Sequence, residues 1–130
     1  MNQSEKINEF LQTRGYDLKK IKGYDLNNTN VINKALTKQE AIDALSFYHE
    51  LKVPILGGDV FYLNQEGEIK WTYDNWYCIK KENENNVEYL KRSIDETVQY
   101  INNYKNNSLR NCIFLFDIVY KNLDVDYDKN

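Results

Sequence analysis

The sequence predicts an α+β protein in which a small antiparallel sheet, made of a hairpin and a C-terminal strand, is covered on one face by helices. Hydrophobic residues recur every three or four positions in three segments, which is the period of an amphipathic helix. Between the second and third of these segments they alternate with a period of two, which is typical of strands. A single proline and the lack of a Gly/Ser-rich linker indicate one domain over residues 1–130.

The first predicted helix lies near the N-terminus. It is expected to begin at Ser4, whose hydroxyl can cap the first turn, and to carry Ile7 and Leu11 on one face. Gly15 can end it in the left-handed conformation that glycine tolerates. Residues 16–34 show no clear period, so an irregular connection is predicted there.

Two further helices are predicted after this connection. Thr37 and Glu40 form a capping box, in which each side chain satisfies a free backbone N–H of the other residue. The helix that follows is expected over residues 38–51, and Pro54 prevents its continuation. Apolar residues spaced by three and four predict a longer helix over residues 87–104.

The alternating segment predicts a β-hairpin. Its strands are expected over residues 59–63 and 68–73, joined by a turn at residues 64–67. A third strand could begin within residues 76–79. Residues 112–120 are apolar on both faces, which predicts a buried strand at the centre of the sheet.

Composition excludes several classes of function. The net charge of −3 argues against nucleic-acid binding, which needs a basic surface. No apolar run approaches the roughly 20 residues that cross a bilayer, so no membrane association is expected. The first ten residues contain no apolar core of a secretory signal, which predicts a cytoplasmic protein. Residues 121–130 are polar and are expected to fray.

Few residues could support catalysis or bind a metal. His49 is the one histidine, and it is expected near a helix C-terminus, where a positive charge is favourable. Cys78 and Cys112 match no metal or redox spacing and are expected to be free thiols. Gly57 and Gly58 lack the spacing of a phosphate loop and are interpreted as a close bend of the backbone. The sequence therefore predicts no enzyme, no cofactor and no metal site.

Two alternatives to a non-catalytic protein that binds a partner through an acidic, aromatic surface remain open. The first is a small hydrolase that uses Asp59, Asp74 or Asp117, the last of which interrupts an otherwise apolar strand. A catalytic carboxylate pair would need a second carboxylate converging on the first, and the sequence identifies none. The second alternative is an adaptor module that binds a peptide along an edge of the sheet.

The segment 54–79 is the best candidate for a binding surface. It contains one lysine against four acids, so it accounts for the whole net charge of −3, and it contains six of the eighteen aromatic residues. Aromatic rings beside carboxylates are typical of protein interfaces. The predicted contact residues are Asp59, Asp74, Asn75, Trp76 and Tyr77, with Glu66 and Glu68 as charges at the rim.

Four segments of the chain resemble the immunity protein 40 family of bacterial polymorphic toxin systems. The matching segments are ALTKQEA at residues 35–41, VPILGGDV at 53–60, TYDNWYC at 72–78 and YLKRS at 89–93. The resemblance runs from about residue 35 to residue 104. It implies a small α+β protein that binds and inhibits a toxin encoded beside it, and it supplies no catalytic residues. It leaves the chemistry of the toxin and the oligomeric state open.

Overall fold

The computed structural model describes residues 1–18 and 33–122, and within them it confirms the α+β class. Within these two ranges three helices and five strands follow one another. They are α1 Gln3–Leu11, β1 Tyr16–Asp17, β2 Lys34–Ala35, α2 Lys38–Glu50, β3 Ile55–Leu63, β4 Ile69–Tyr77, α3 Asn86–Asn103 and β5 Ile113–Tyr120. Most of the tail expected to fray lies outside the described residues, but the backbone N–H of Lys121 donates to the carbonyl of Pro54 at 2.8 Å.

The main sheet is antiparallel and its strands lie in the order β4-β3-β5. The prediction that residues 112–120 form the central strand is therefore wrong. The central strand is β3, which pairs with β4 on one side and with β5 on the other. The outer side of β5 is closed in part by the chain before α2. Leu36 and Phe116 exchange two backbone hydrogen bonds of 2.8 Å, so the middle of β5 is paired on both sides.

Apolar side chains pack on both faces of this sheet. On one face Val60, Phe116 and Ile118 belong to the main core, together with residues of all three helices. On the other face Phe61 and Leu115 pack with Ala35 of the small β1–β2 ribbon and with Leu18, which directly follows β1. The helices cover one face as predicted, and the ribbon explains why β5 is apolar on both.

The ribbon was not predicted from the sequence. Residues 16–34 were expected to form an irregular connection, whereas Tyr16 pairs with Ala35 and Asp17 with Lys34. Each strand is only two residues long, which is too short for a hydrophobic period to be recognised. Residues 19–32 lie outside the described part of the chain.

The helix starts follow local capping signals, with one correction. The capping box of Thr37 and Glu40 is present at α2. At α1 the cap is Asn2 and not Ser4, because the Asn2 side chain accepts a hydrogen bond from the backbone N–H of Glu5 at 2.8 Å. A second capping box, formed by Asn85 and Glu88, starts α3.

The hairpin is longer than predicted and contains a bulge. No separate strand begins at residues 76–79, because β4 continues to Tyr77. Asp59 pairs with Asn75 and Phe61 with Trp71, so β4 has two more residues than β3 between these pairs. In the bulge the hydroxyl of Thr72 donates to the carbonyl of Val60 at 2.6 Å. Tyr73 has a φ of 68° and is 82% exposed, so the alternation predicted through residue 73 ends here.

Candidate functional site

Two surface hollows lie beside the C-terminal half of β4. The larger, which we call the α3 groove, has a volume of about 550 Å³ and is lined by Asp74 and by residues of α3 and its C-terminal end. These residues include Glu96, Gln99 and Tyr100 of α3, and Tyr104 directly after its last residue. The smaller, which we call the glycine hollow, has a volume of about 210 Å³. It is lined by Leu56, Gly57, Gly58, Asp59, Trp76, Tyr77 and Val119.

Two tyrosines, Tyr100 in α3 and Tyr104 at its C-terminal end, donate hydrogen bonds to residues of β4 in the α3 groove. The hydroxyl of Tyr104 donates to Asp74 Oδ2 at 2.6 Å, and that of Tyr100 donates to the carbonyl of Asn75 at 3.4 Å. Burial, and then the negative charge of Asp74, raise the pKa of Tyr100 to about 12. Burial and the hydrogen bond to Asp74 raise the pKa of Tyr104 as well. Both phenols therefore stay protonated as donors at neutral pH.

These two tyrosines were not among the predicted contact residues. Tyr100 and Tyr104 are four residues apart, and this spacing places two side chains on the same stripe of a helix. Glu96 lies one turn earlier on that stripe and adds a second acid to the groove. The spacing was visible in the sequence, but the position of the stripe beside the bulge of β4 was not.

The register of the sheet brings Asp59, Asn75 and Asp117 into one row. Asp59 pairs with Asn75 on β4 and with Asp117 on β5, and directly opposite residues of antiparallel strands have side chains on the same face. Asp117 is only 4% exposed, whereas Asp59 is half-buried at the glycine hollow. Burial raises the pKa of the Asp59 carboxyl above its ordinary value.

This row supplies the convergent carboxylates that the hydrolase alternative required, but not an accessible pair. Asp117 is buried, and the carboxylate of Asp74 is turned to Tyr104 in the other hollow. In the described parts of the chain no group of three or more His, Cys, Asp or Glu side chains could hold a metal ion. Cys78 and Cys112 are free thiols.

Trp76 supports the site from below. Trp76 was predicted as a contact residue, but it is only 7% exposed and so lies mostly below the surface. The indole N–H donates to the Thr97 hydroxyl at 3.0 Å, and the ring stacks on Tyr100 with centroids 4.7 Å apart. Because β4 continues past the bulge, Trp76 points toward α3, and its neighbour Tyr77 is 73% exposed.

The two predicted rim acids lie elsewhere. Glu66 and Glu68 belong to the turn between β3 and β4, where the side chain of Asn64 accepts hydrogen bonds from both of their backbone N–H groups. Six residues separate Glu68 from Asp74, which corresponds to roughly 15–20 Å along a strand. These acids therefore do not border either hollow.

An arginine clamp fixes the loop that leads from β4 to α3. Arg92 donates to both carboxylate oxygens of Glu84, at 2.5 and 2.7 Å, and to the carbonyl of Ile79 at 2.7 Å. It also donates to Glu96 at 3.0 Å, beside the α3 groove. A bidentate arginine–carboxylate pair has a defined geometry, so this clamp holds α3 and the end of β4 together.

The clamp predicts a specific loss of stability in acid. The hydrogen bonds from Arg92 lower the pKa of Glu84 to about 2. Since the folded pKa is depressed, the stabilisation is present above the ordinary value of 4.5 and is lost as the pH falls toward 2. We expect Glu84→Gln to lower the urea midpoint at neutral pH, and we expect the difference from wild type to shrink over this range. Glu82→Gln, at an exposed acid of the same loop, is the control. Its urea midpoint should equal that of wild type both at neutral pH and at low pH. A constant difference at all pH values would contradict the assignment.

Comparison with known proteins gives one match. The model of the immunity protein 40 family matches residues 25–118, which is well over half of the chain and includes all the residues that line the two hollows except Val119. No curated protein and no solved structure matches the chain.

Proposed function

Because the chain belongs to the immunity protein 40 family, we propose that it binds a bacterial toxin encoded beside it and inhibits that toxin in the cytoplasm of the producing cell. The family match is the observation that carries this proposal. It also favours a non-enzymatic role, as the shortage of catalytic residues does. None of the helices in the described ranges is long and apolar enough to cross a membrane.

We propose that the toxin contacts the two hollows and the two exposed tyrosines of β4, Tyr73 and Tyr77. Asp59, Asp74 and Glu96 make this surface acidic, and Lys105 is the one cation among the described residues that line the hollows. Acids steer a basic partner and speed association, whereas aromatic residues in the centre of an interface slow dissociation. Tyr73 and Tyr77 are 82% and 73% exposed, so they replace Trp76 as the proposed anchors.

The geometry favours this proposal over the two alternatives. The buried position of Asp117 gives a hydrolase no access to the pair that it forms with Asp59. Addition of a peptide strand to the edge of β4 is disfavoured by the bulge at residues 72–74, since a bulge interrupts the row of open backbone groups.

The proposal predicts that two kinds of variant differ in their kinetics. Tyr73→Ala/Tyr77→Ala should fold normally, because both rings are exposed, and should mainly speed dissociation from the toxin by about tenfold or more. Asp74→Asn should mainly slow association and weaken its dependence on salt. Surface plasmon resonance at two salt concentrations, with the product of the neighbouring gene immobilised, measures both rates.

The matched control is Glu66→Gln/Glu68→Gln, which removes two charges at the distant turn and should slow association less than Asp74→Asn does. A co-expression assay with the toxin tests protection directly. Full protection by a folded Tyr73→Ala/Tyr77→Ala/Asp74→Asn variant would place the interface elsewhere. A wild-type protein that does not bind the neighbouring gene's product would contradict the proposed function itself.

A further inference from the structure

The glycine hollow has the size of a single side chain. Its volume of about 210 Å³ corresponds to about seven water molecules at their liquid volume of ~30 Å³ each. Sites for small molecules usually have ~300–1,000 Å³. A long side chain of a partner protein therefore fits the hollow better than a free ligand does.

Two of the strand positions that line the hollow have no side chain, and other atoms approach both of them closely. A Cβ atom at Gly57 would lie 2.1 Å from the carbonyl oxygen of Trp76, and one at Gly58 would lie 2.3 Å from Cη2 of the Trp76 ring. Leu56 and Val119 are 38% and 41% exposed at its border. Backbone and indole therefore lie directly against the two glycines. The border of the hollow is apolar, which suits the methylene groups of an entering side chain.

One carboxylate gives the hollow its chemical preference. Among the described residues that line the hollow, Asp59 is the only one with a charged side chain, and Tyr77 beside it presents an exposed ring. None of the ion pairs in the described ranges involves Asp59. Burial already raises the pKa of this carboxyl, so an arriving cation would offset the cost of keeping it charged. The ring of Tyr77 can add a cation–π contact.

We propose that the glycine hollow takes one lysine or arginine side chain of the partner, with its methylene stem between Leu56 and Val119 and its charged end at Asp59. This inference rests on the proposed function and names the side chain that the toxin inserts. It differs from general acidic steering, because it assigns one cation to one carboxylate.

The test uses small probes and does not depend on the toxin. The ¹⁵N-labelled full chain is titrated with the N-acetyl, N-methylamide derivatives of lysine and arginine, and with the norleucine derivative as the neutral control. We expect saturable shifts at the amides of Gly57 and Gly58 for the basic probes. The norleucine derivative should bind at least about fivefold more weakly, because it lacks the charge that Asp59 recognises. Whichever of the lysine and arginine derivatives binds more tightly identifies the preferred side chain.

Asp59→Asn should abolish this preference, whereas Glu68→Gln, at an acid of the distant turn between β3 and β4, should leave it unchanged. The same spectra show whether each variant is folded. Absence of shifts at Gly57 and Gly58 with wild type, equal binding of all three probes, or unchanged binding by folded Asp59→Asn would overturn the inference.

Binding to the toxin is measured separately, so the two proposals fail in different ways. If Asp59→Asn binds the toxin as tightly as wild type, the inference is wrong and the proposed function stands. If wild type binds the basic probes but not the toxin, the proposed function is wrong, and the assignment of the hollow to the toxin fails with it.

Discussion

Replacing Phe116 by alanine should lower the free energy of unfolding by about 3–5 kcal/mol, the range for a fully buried phenylalanine. Phe116 is 2% exposed and packs in the core between the sheet and the helices. Tyr104 contacts its ring edge-on, with centroids 5.9 Å apart, so the substitution leaves a cavity beside a residue of the α3 groove. Urea denaturation measures the loss.

Two companion variants make this result specific. Phe114 is only partly buried, so Phe114→Ala should cost less than Phe116→Ala, although the sequence alone predicts an equal loss for both. His49→Ala, at an exposed position in the last turn of α2, should cost a few tenths of a kcal/mol at most. If His49→Ala proved more damaging than Phe116→Ala, the assignment of both residues would be wrong.

Replacing Gly57 by alanine should have an effect of similar size, about 3 kcal/mol or more, and should deform the proposed binding surface. The new Cβ would lie 2.1 Å from a backbone carbonyl oxygen of β4, which a side-chain rotation cannot relieve. Gly57 also has a φ of +146°, a conformation that other residues rarely adopt. The hairpin must therefore shift at this position, and thermal unfolding should show a large decrease in the melting temperature.

Gly67→Ala provides the matched control. Gly67 also has a positive φ, of +79°, but no atom lies within 4 Å of the Cβ that would be added. Its substitution includes the conformational penalty without the clash, and should cost about 1 kcal/mol. The difference in the free energy of unfolding between the two variants measures the cost of the clash between the new Cβ and β4. Equal losses would show that this clash contributes nothing.

Several elements of the fold were predictable because short-range signals determine them. The capping box of Thr37 and Glu40 involves residues three apart. Residues Asn64–Gly67 form the turn of the hairpin, as predicted, although the strands on either side are longer than predicted. The apolar stripe of the third predicted helix identified α3 within one residue at each end. The resemblance carried by four short segments is likewise confirmed by the family match.

Non-local pairing decided the order of the strands. Residues 115–118 are buried as those of a central strand would be, but the sequence cannot show that Leu36 would pair with Phe116 and that the ribbon would cover Leu115. A strand can be buried on both faces because it lies in the centre of the sheet, or because it lies at an edge and other elements cover both of its faces. Only the tertiary contacts distinguish them.

The candidate site shows the same division. The sequence by itself determined that acids and aromatic rings concentrate in residues 54–79, since composition needs no structure. The tertiary structure decided which of them face outward, because the bulge at residues 72–74 exposes Tyr73 and Tyr77 and leaves Trp76 against α3. It also placed Asp59 opposite Asp117, and Asp74 beside Tyr104. These contacts join residues 30 or more positions apart, and a local pattern cannot specify a partner at that distance.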